Sequence, residues 1–471
     1  MRGARALDLL DSGDVFEGIF VPEALRRKTG GGAWVRAMLD AEAALALAGA
    51  RAGLFPLEDA EAIALVCRSD DHDAGLAAEA LALKARASGN PVTPLVERLT
   101  GVVREAAGEE AARYVHRGAT SQDILDTAAM LVTRDAIGFI LADLDRLCAV
   151  LAALAARHRT TLMPGRTLMQ QALPTTFGLK ASGWLSSLVK AGQGLRRVGE
   201  TLPAQLGGAA GTLASLGEPG IRVFEEFALE LGLREAAVPW HTHRHPVAGV
   251  GGALALTCGT VGKIAGDIVL LAQTEVGEVA EAPGDGRGGS STLPHKQNPV
   301  LSVTAISAGR RGRAEAAALL GAMDHEHERA AGAWHSEWET LTGALRYTGG
   351  AVALTGEAVS GLEVDARRMR ENLNLTNGLL LAENLTTFAA RNLGRLEAHE
   401  RVGAACRRVL SGGGTLLEEV AADPDLTAAL GEGGAARALD PDTYLGSAGT
   451  FVDRALDEYR TYLTERTEES E

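Results

Sequence analysis

The sequence predicts an all-α protein built on a bundle of long helices. Three observations carry that prediction. Ala, Leu and Gly dominate the 471 residues while aromatics make up only 4%, and Ala and Leu have the best helix propensities. Long apolar runs keep a three-four spacing, the period of one helix face. No run alternates apolar and polar residues over a strand's length, so no strand is expected.

In chain order, residues 1–30 read as irregular. Trp34, Met38, Ala41, Leu45 and Ala48 give a helix over 31–52, ended by Gly53. Pro56 opens a helix through Val66. Asp70-Asp-His-Asp is a turn, and shorter helices follow to Arg86 and from Pro94 to Val103, around the Ser88-Gly-Asn-Pro break. Residues 1–112 form a first helical domain.

Gly118 then marks a turn, and Thr120 or Ser121 with Asp123 suits a helix start. The helix of 124–158 keeps its rhythm through Leu125, Val132, Ile140, Leu144, Leu147, Leu151 and Leu154. It would be roughly 50 Å long, and needs partners along its whole seam, in a bundle or an oligomer. Further helices read over 176–202, 223–231, 247–281, 300–323 and 337–359, which makes 113–360 a central long-helix domain. Beyond Gly361, Gly412-Gly-Gly, Gly431-Glu-Gly-Gly and Asp440-Pro-Asp chop the pattern into a smaller helical domain, 361–471. The acidic tail from Thr464 is expected to be disordered.

Composition excludes several classes. A net charge of −15 disfavours a nucleic-acid binder, which needs a basic face, but leaves room for a local basic pocket. Cys67, Cys148, Cys258 and Cys406 are far apart with no CxxC, as for buried thiols in a reducing compartment, so a cytoplasmic protein is expected. No signal peptide and no membrane span are read.

Chemistry concentrates in polar breaks between the helices. The richest is Gly288-Gly-Ser-Ser-Thr-Leu-Pro-His-Lys-Gln-Asn-Pro299, with Ser290, Ser291, His295, Lys296 and Asn298 on glycine-rich backbone. A hydroxyl, a cation and an amide on a flexible segment suit an active-site lid. Lys and Arg total 46, yet only six are Lys, which sets Lys296 apart. Three more breaks, 114–123, 164–175 and 239–245, hold His116, Thr120, Ser121, Arg166, Gln170, Trp240, His241 and Arg244. Any one break is as readily a set of caps and turns, whereas four together point to one site. His241-Thr-His-Arg-His has no strand context and no carboxylate to complete a ligand set, so no metal is expected. Arg329, in Asp324-His-Glu-His-Glu-Arg, could face inward or outward.

Gly289-Ser-Ser-Thr-Leu-Pro-His-Lys-Gln-Asn-Pro299 closely resembles the signature loop of the fumarase/aspartase superfamily. Gly118-Ala-Thr-Ser-Gln-Asp-Ile-Leu-Asp-Thr127 and Gln205 to Thr212 are similar to its two other characteristic regions. Val115-His-Arg-Gly-Ala-Thr-Ser-Gln-Asp, Pro239-Trp-His-Thr-His-Arg and His327-Glu-Arg with Trp334-His-Ser-Glu-Trp-Glu-Thr340 look most like its bacterial cycloisomerase branch. The resemblance implies a three-domain all-α protomer whose central helices build a homotetramer core. It also implies active sites shared between subunits, no cofactor, and a small polycarboxylate substrate. By resemblance Ser290 transfers the proton and Lys296 and Asn298 hold the reacting carboxylate. His116, Thr120, Ser121, Gln170, Trp240, Arg244, Ser291 and Arg329 would line the substrate. One departure matters. Most lyases of the superfamily read Arg-Thr-His in the second break, with His as general acid, and here Leu168 follows Arg166-Thr. Cycloisomerisation of a tricarboxylate diene, a step of aromatic catabolism, fits that loss. A lyase releasing fumarate or a similar product, or an inactive scaffold kept for binding, are the alternatives.

Overall fold

The computed structural model describes residues 16–69, 74–284, 288–289, 292–293 and 295–468. Ser290 and Ser291 lie outside them, as does the Asp70-Asp-His-Asp turn. The described residues are mostly helical. Among the described residues seven helices have 21 residues or more: α1 (Gly31–Arg51), α2 (Ser121–Arg157), α3 (Phe177–Glu200), α4 (His245–Leu271), α5 (Val300–Gly321), α6 (Ala333–Ser360) and α7 (Ala448–Glu468).

The cores follow from the sequence spacing. α1 buries Val35, Met38, Leu39 and Leu45. α2, 37 residues long, buries Leu125, Val132, Ile140, Leu144, Leu147, Leu151 and Leu154. Two compact units result, each discontinuous in sequence. One comprises residues 1–145, 190–262 and 304–355, the other 146–189, 263–303 and 356–471.

Several expectations need correcting. Helices Glu17–Phe20 and Glu23–Thr29 occupy the stretch read as irregular, and Leu25 is fully buried there. The acidic tail continues α7 to Glu468, anchored by buried Val452 and Tyr462. α4 stops at Leu271, ten residues early. Gly277 takes a left-handed φ of 62°, and Val279–Glu281 (β3) then pairs antiparallel with Leu362–Val364 (β4).

The second break is not a loop. Leu162–Thr167 (β1) and Gln170–Thr176 (β2) form an antiparallel hairpin with an irregularity at Pro164–Arg166. Its two-residue turn is Leu168-Met169, with φ of 49° and 67°. Turns with φ > 0 at both positions usually carry Asn-Gly or Asp-Gly, so the sequence concealed this one.

Candidate active site

In the first unit one carboxylate joins two of the breaks to the glycine-rich segment 205–212. Asp123 is fully buried in the first turn of α2. Its Oδ2 accepts N–H donors from Thr120 and Gly208, each at 2.9 Å. Its Oδ1 accepts from Gly207 N–H at 2.9 Å and lies 2.7 Å from His241 Nε2. The glycines are required here. A Cβ on Gly207 would lie 2.8 Å from the His241 ring, and Gly208 has φ of 68°. The breaks at 114–123 and 239–245 and the glycine-rich segment 205–212 are thereby fixed to one point.

Beneath them lies a second buried charge cluster. Arg244, 2% exposed, donates Nη1–H and Nη2–H to Asp126 at 2.7 and 3.0 Å. It also donates Nε–H and Nη2–H to Glu337 at 3.0 and 2.6 Å, and Nη1–H reaches Trp240 O at 3.3 Å. Asp126 also accepts from Gln122 and from Trp334 Nε1–H. Burial pushes the Glu337 carboxyl up, against the downward pull of Arg244. The wholly buried His325 ring lies 3.3 Å from Glu337.

This cluster corrects two expectations. All five N–H groups of Arg244 are engaged, so it has none to offer a substrate carboxylate. Trp240 is 3% exposed, donates Nε1–H to Ala204 O and stacks on Arg244 at 4.8 Å. Both belong to the frame under the site. Arg329 turns inward, donating to Gln122 Oε1 and Ala209 O. Thr120 and Ser121 are half-buried, and among the described residues neither hydroxyl has a hydrogen-bond partner.

His116 has a left-handed backbone, φ 59°, which costs an L-residue about 1–2 kcal/mol. Its Nδ1 lies 2.6 Å from Glu42 Oε1. Burial lowers the His116 pKa, but the carboxylates of Glu42 and Asp123 outweigh it and the net shift is upward.

In the second unit the hairpin is tied to the approach of the glycine loop. Arg166 makes a two-pronged contact with Glu278 at 2.9 and 2.6 Å. Asn372 donates to the same carboxylate at 2.7 Å. Glu278 is fully buried, so Arg166 is its counter-ion. Gln170 is exposed at the start of β2. Leu168 is 97% exposed at the tip, so hydrocarbon stands where a proton donor was sought.

At the neck of the loop Asn298 donates backbone and side-chain N–H to Gly288 O at 2.9 and 3.0 Å. Glu281 accepts from the N–H groups of Leu301 and Ser302, capping the positive end of α5. Lys296 is exposed. A cavity of about 510 Å³ beside this neck is lined by Gly288, Gln297, Asn298 and Glu363 among others. Among the described residues no group of three or more His, Cys, Asp or Glu could hold a metal ion.

The reading from sequence missed Glu42, Asp126, Glu278 and Glu337. An acid set within an apolar helical run was the available signal for Glu42 in Asp40-Ala-Glu-Ala-Ala-Leu and for Asp126 in Ile124-Leu-Asp-Thr-Ala-Ala.

Long helices with polar segments at their ends, and a glycine loop carrying a cation and an amide, point to an enzyme of the lyase class. The family described as Lyase matches residues 16–310, and the family described as Adenylosuccinate lyase C-terminus matches 378–455. The chain belongs to this lyase family, within the fumarase/aspartase superfamily. It is 46% identical over 421 residues to the 3-carboxy-cis,cis-muconate cycloisomerase of Bradyrhizobium diazoefficiens, covering 89% of this chain and 92% of that one. It is also 46% identical over 432 residues to the nitrosuccinate lyase of Streptomyces davaonensis, covering 90% of each. The crystal structure of the 3-carboxy-cis,cis-muconate lactonizing enzyme from Pseudomonas putida superposes with a TM-score of 0.89 at 40% identity, over 96% of this chain and 100% of that one.

Proposed function

We propose that the protein is a cofactor-independent 3-carboxy-cis,cis-muconate cycloisomerase. The observation that carries this reading is the hydrocarbon tip of the hairpin at Leu168, taken with the kinship to cycloisomerases. Elimination from an amine needs a general acid, because an amide or amine anion is a poor leaving group. A carboxylate is a weak base, with a pKa of about 4, and leaves or adds without one.

In the lactonising direction a substrate carboxylate oxygen bonds to an alkene carbon. The π pair moves toward the adjacent carboxylate, giving an aci-dianion that needs donors and cations at its oxygens. Ser290 delivers its hydroxyl proton to the carbanionic carbon and is left as an alkoxide, which loop closure, backbone N–H groups and Lys296 stabilise. Lys296 and the second amide N–H of Asn298 hold the aci group. His116, Thr120, Ser121, Gln170, Ser291 and Arg329 bind the remaining carboxylates.

The reading includes the division into 1–112, 113–360 and 361–471, a homotetramer with sites shared between subunits, and a cytoplasmic location. Support for self-association comes from one exposed face of α4. Leu256 is 72% exposed, and Gly249, Gly252, Gly259 and Gly266 have open space where a Cβ would stand.

A second reading, a lyase expelling nitrite from nitrosuccinate, has equal identity behind it. Nitrite too is a weak base and needs no acid at Leu168. Purified protein given 3-carboxymuconate should bleach the conjugated diene absorbance, with negligible nitrite release from nitrosuccinate. The reverse pattern would replace the first reading with the second.

A further inference from the structure

α1 is an Ala- and Leu-rich helix, yet its buried face carries Glu42, which is 1% exposed. Its Oε1 lies 2.6 Å from His116 Nδ1, while Oε2 is buried with no hydrogen-bond partner. A carboxylate withdrawn from water with so few donors is costly unless a cation balances it. The imidazole is the group placed to do so. The Glu42 side chain is wholly buried and that of His116 is 18% exposed. The ring is therefore gripped from the interior by Nδ1, and among the described residues Nε2 meets no partner. His116 stands four residues before Thr120 and five before Ser121, the two half-buried hydroxyls.

We propose that Glu42 is a positioning residue, which keeps His116 as an imidazolium so that Nε2–H is a cationic donor to a substrate carboxylate. This rests on the reading of His116 as substrate-binding given above. Glu42 accepts at Nδ1, so a neutral ring carries its proton there and presents a lone pair at Nε2, which repels an anion. Only the charged ring donates at both nitrogens. The charged groups acting on His116 are Glu42 on α1 and Asp123 on α2, both anionic, against the opposing effect of burial. Arg244 and Arg166, the arginines of the breaks at 239–245 and 164–175 that the sequence offered as carboxylate partners, are consumed by Asp126, Glu337 and Glu278.

The test has two independent arms. In ¹³C-histidine-labelled protein the His116 Cε1–H signal, assigned by its loss in His116→Asn, should titrate above the ordinary His value of about 6.5. In Glu42→Gln it should move down by about one unit or more, since burial then acts with one less carboxylate. An ordinary or lowered value in the unsubstituted protein overturns the proposal, even if Glu42→Gln does not fold. In the kinetic arm, Glu42→Gln should raise KM about tenfold at pH 8 with kcat changed less than about threefold, and Glu42→Asp should recover part of the loss. In a His116→Asn background, Glu42→Gln should change KM less than about twofold. An undiminished effect there means Glu42 acts structurally. The titration is read without substrate, so failure of the proposed reaction leaves it decisive.

Discussion

Asp123 Oδ1 and His241 Nε2 lie 2.7 Å apart, both buried, and this contact joins the start of α2 to the loop before α4. The same carboxylate takes the N–H groups of Thr120, Gly207 and Gly208. Asp123→Asn keeps the shape but turns one oxygen into a donor facing donors. Two charge-assisted bonds are lost, about 3 kcal/mol or more. A lower urea midpoint with unchanged slope is expected, together with reduced turnover as the three segments lose their common anchor. An unchanged midpoint would show that Asp123 does not hold them.

How much of this was legible in sequence depends on which force fixed each part. Helices set by apolar period, such as α2 with Ile140, Leu144 and Leu147, were legible because period alone decides them. The β1–β2 hairpin was not, because its turn uses Leu168-Met169 and Pro164-Gly165 interrupts β1. Asp123 could be read as a helix start, yet its bonds to Gly207 and His241 span 84 and 118 residues. Arg244 was legible as a cation but not as a spent one, since Asp126 and Glu337 reach it only through the fold.

Arg166 is the counter-ion of buried Glu278. Replacing it by Met leaves that carboxylate with Asn372 as its side-chain donor, a loss of about 3–5 kcal/mol. Glu278→Gln added to Arg166→Met should restore much of the stability, because the orphaned charge is gone. Thermal unfolding of the four proteins gives the coupling. Additive losses would mean that the pair is not the source of the effect.

Ser290 lies outside the described residues, and its role is tested by chemistry. Ser290→Ala should reduce turnover by about two orders of magnitude or more, with helical circular dichroism unchanged. Near-normal activity would assign proton transfer to another group.

The Glu42–His116 pair also predicts a pH dependence of stability. The folded-state pKa of His116 is raised, so the folded protein binds this proton more tightly than the unfolded chain. Its contribution is full below the unfolded value of about 6.5 and is lost as pH rises through the higher folded value. The stability difference between the unsubstituted protein and His116→Asn should therefore shrink from pH 6 toward alkaline pH. A difference that grows over that range contradicts the sign.

The hairpin tip offers the sharpest separation of stability from activity. Leu168 and Met169 both hold left-handed φ, and 97% and 68% of their surfaces are exposed in the protomer. Two L-residues in that region cost about 1–2 kcal/mol each, and Asn-Gly adopts the same turn with less strain. Leu168→Asn with Met169→Gly should thus raise the thermal midpoint by a few degrees. Strain retained against that gain suggests that the side chains serve the reaction. The expected companion result is a fall in kcat/KM toward 3-carboxymuconate as a polar tip admits water. A midpoint that falls instead would mean that the left-handed turn is not a source of strain for Leu168 and Met169.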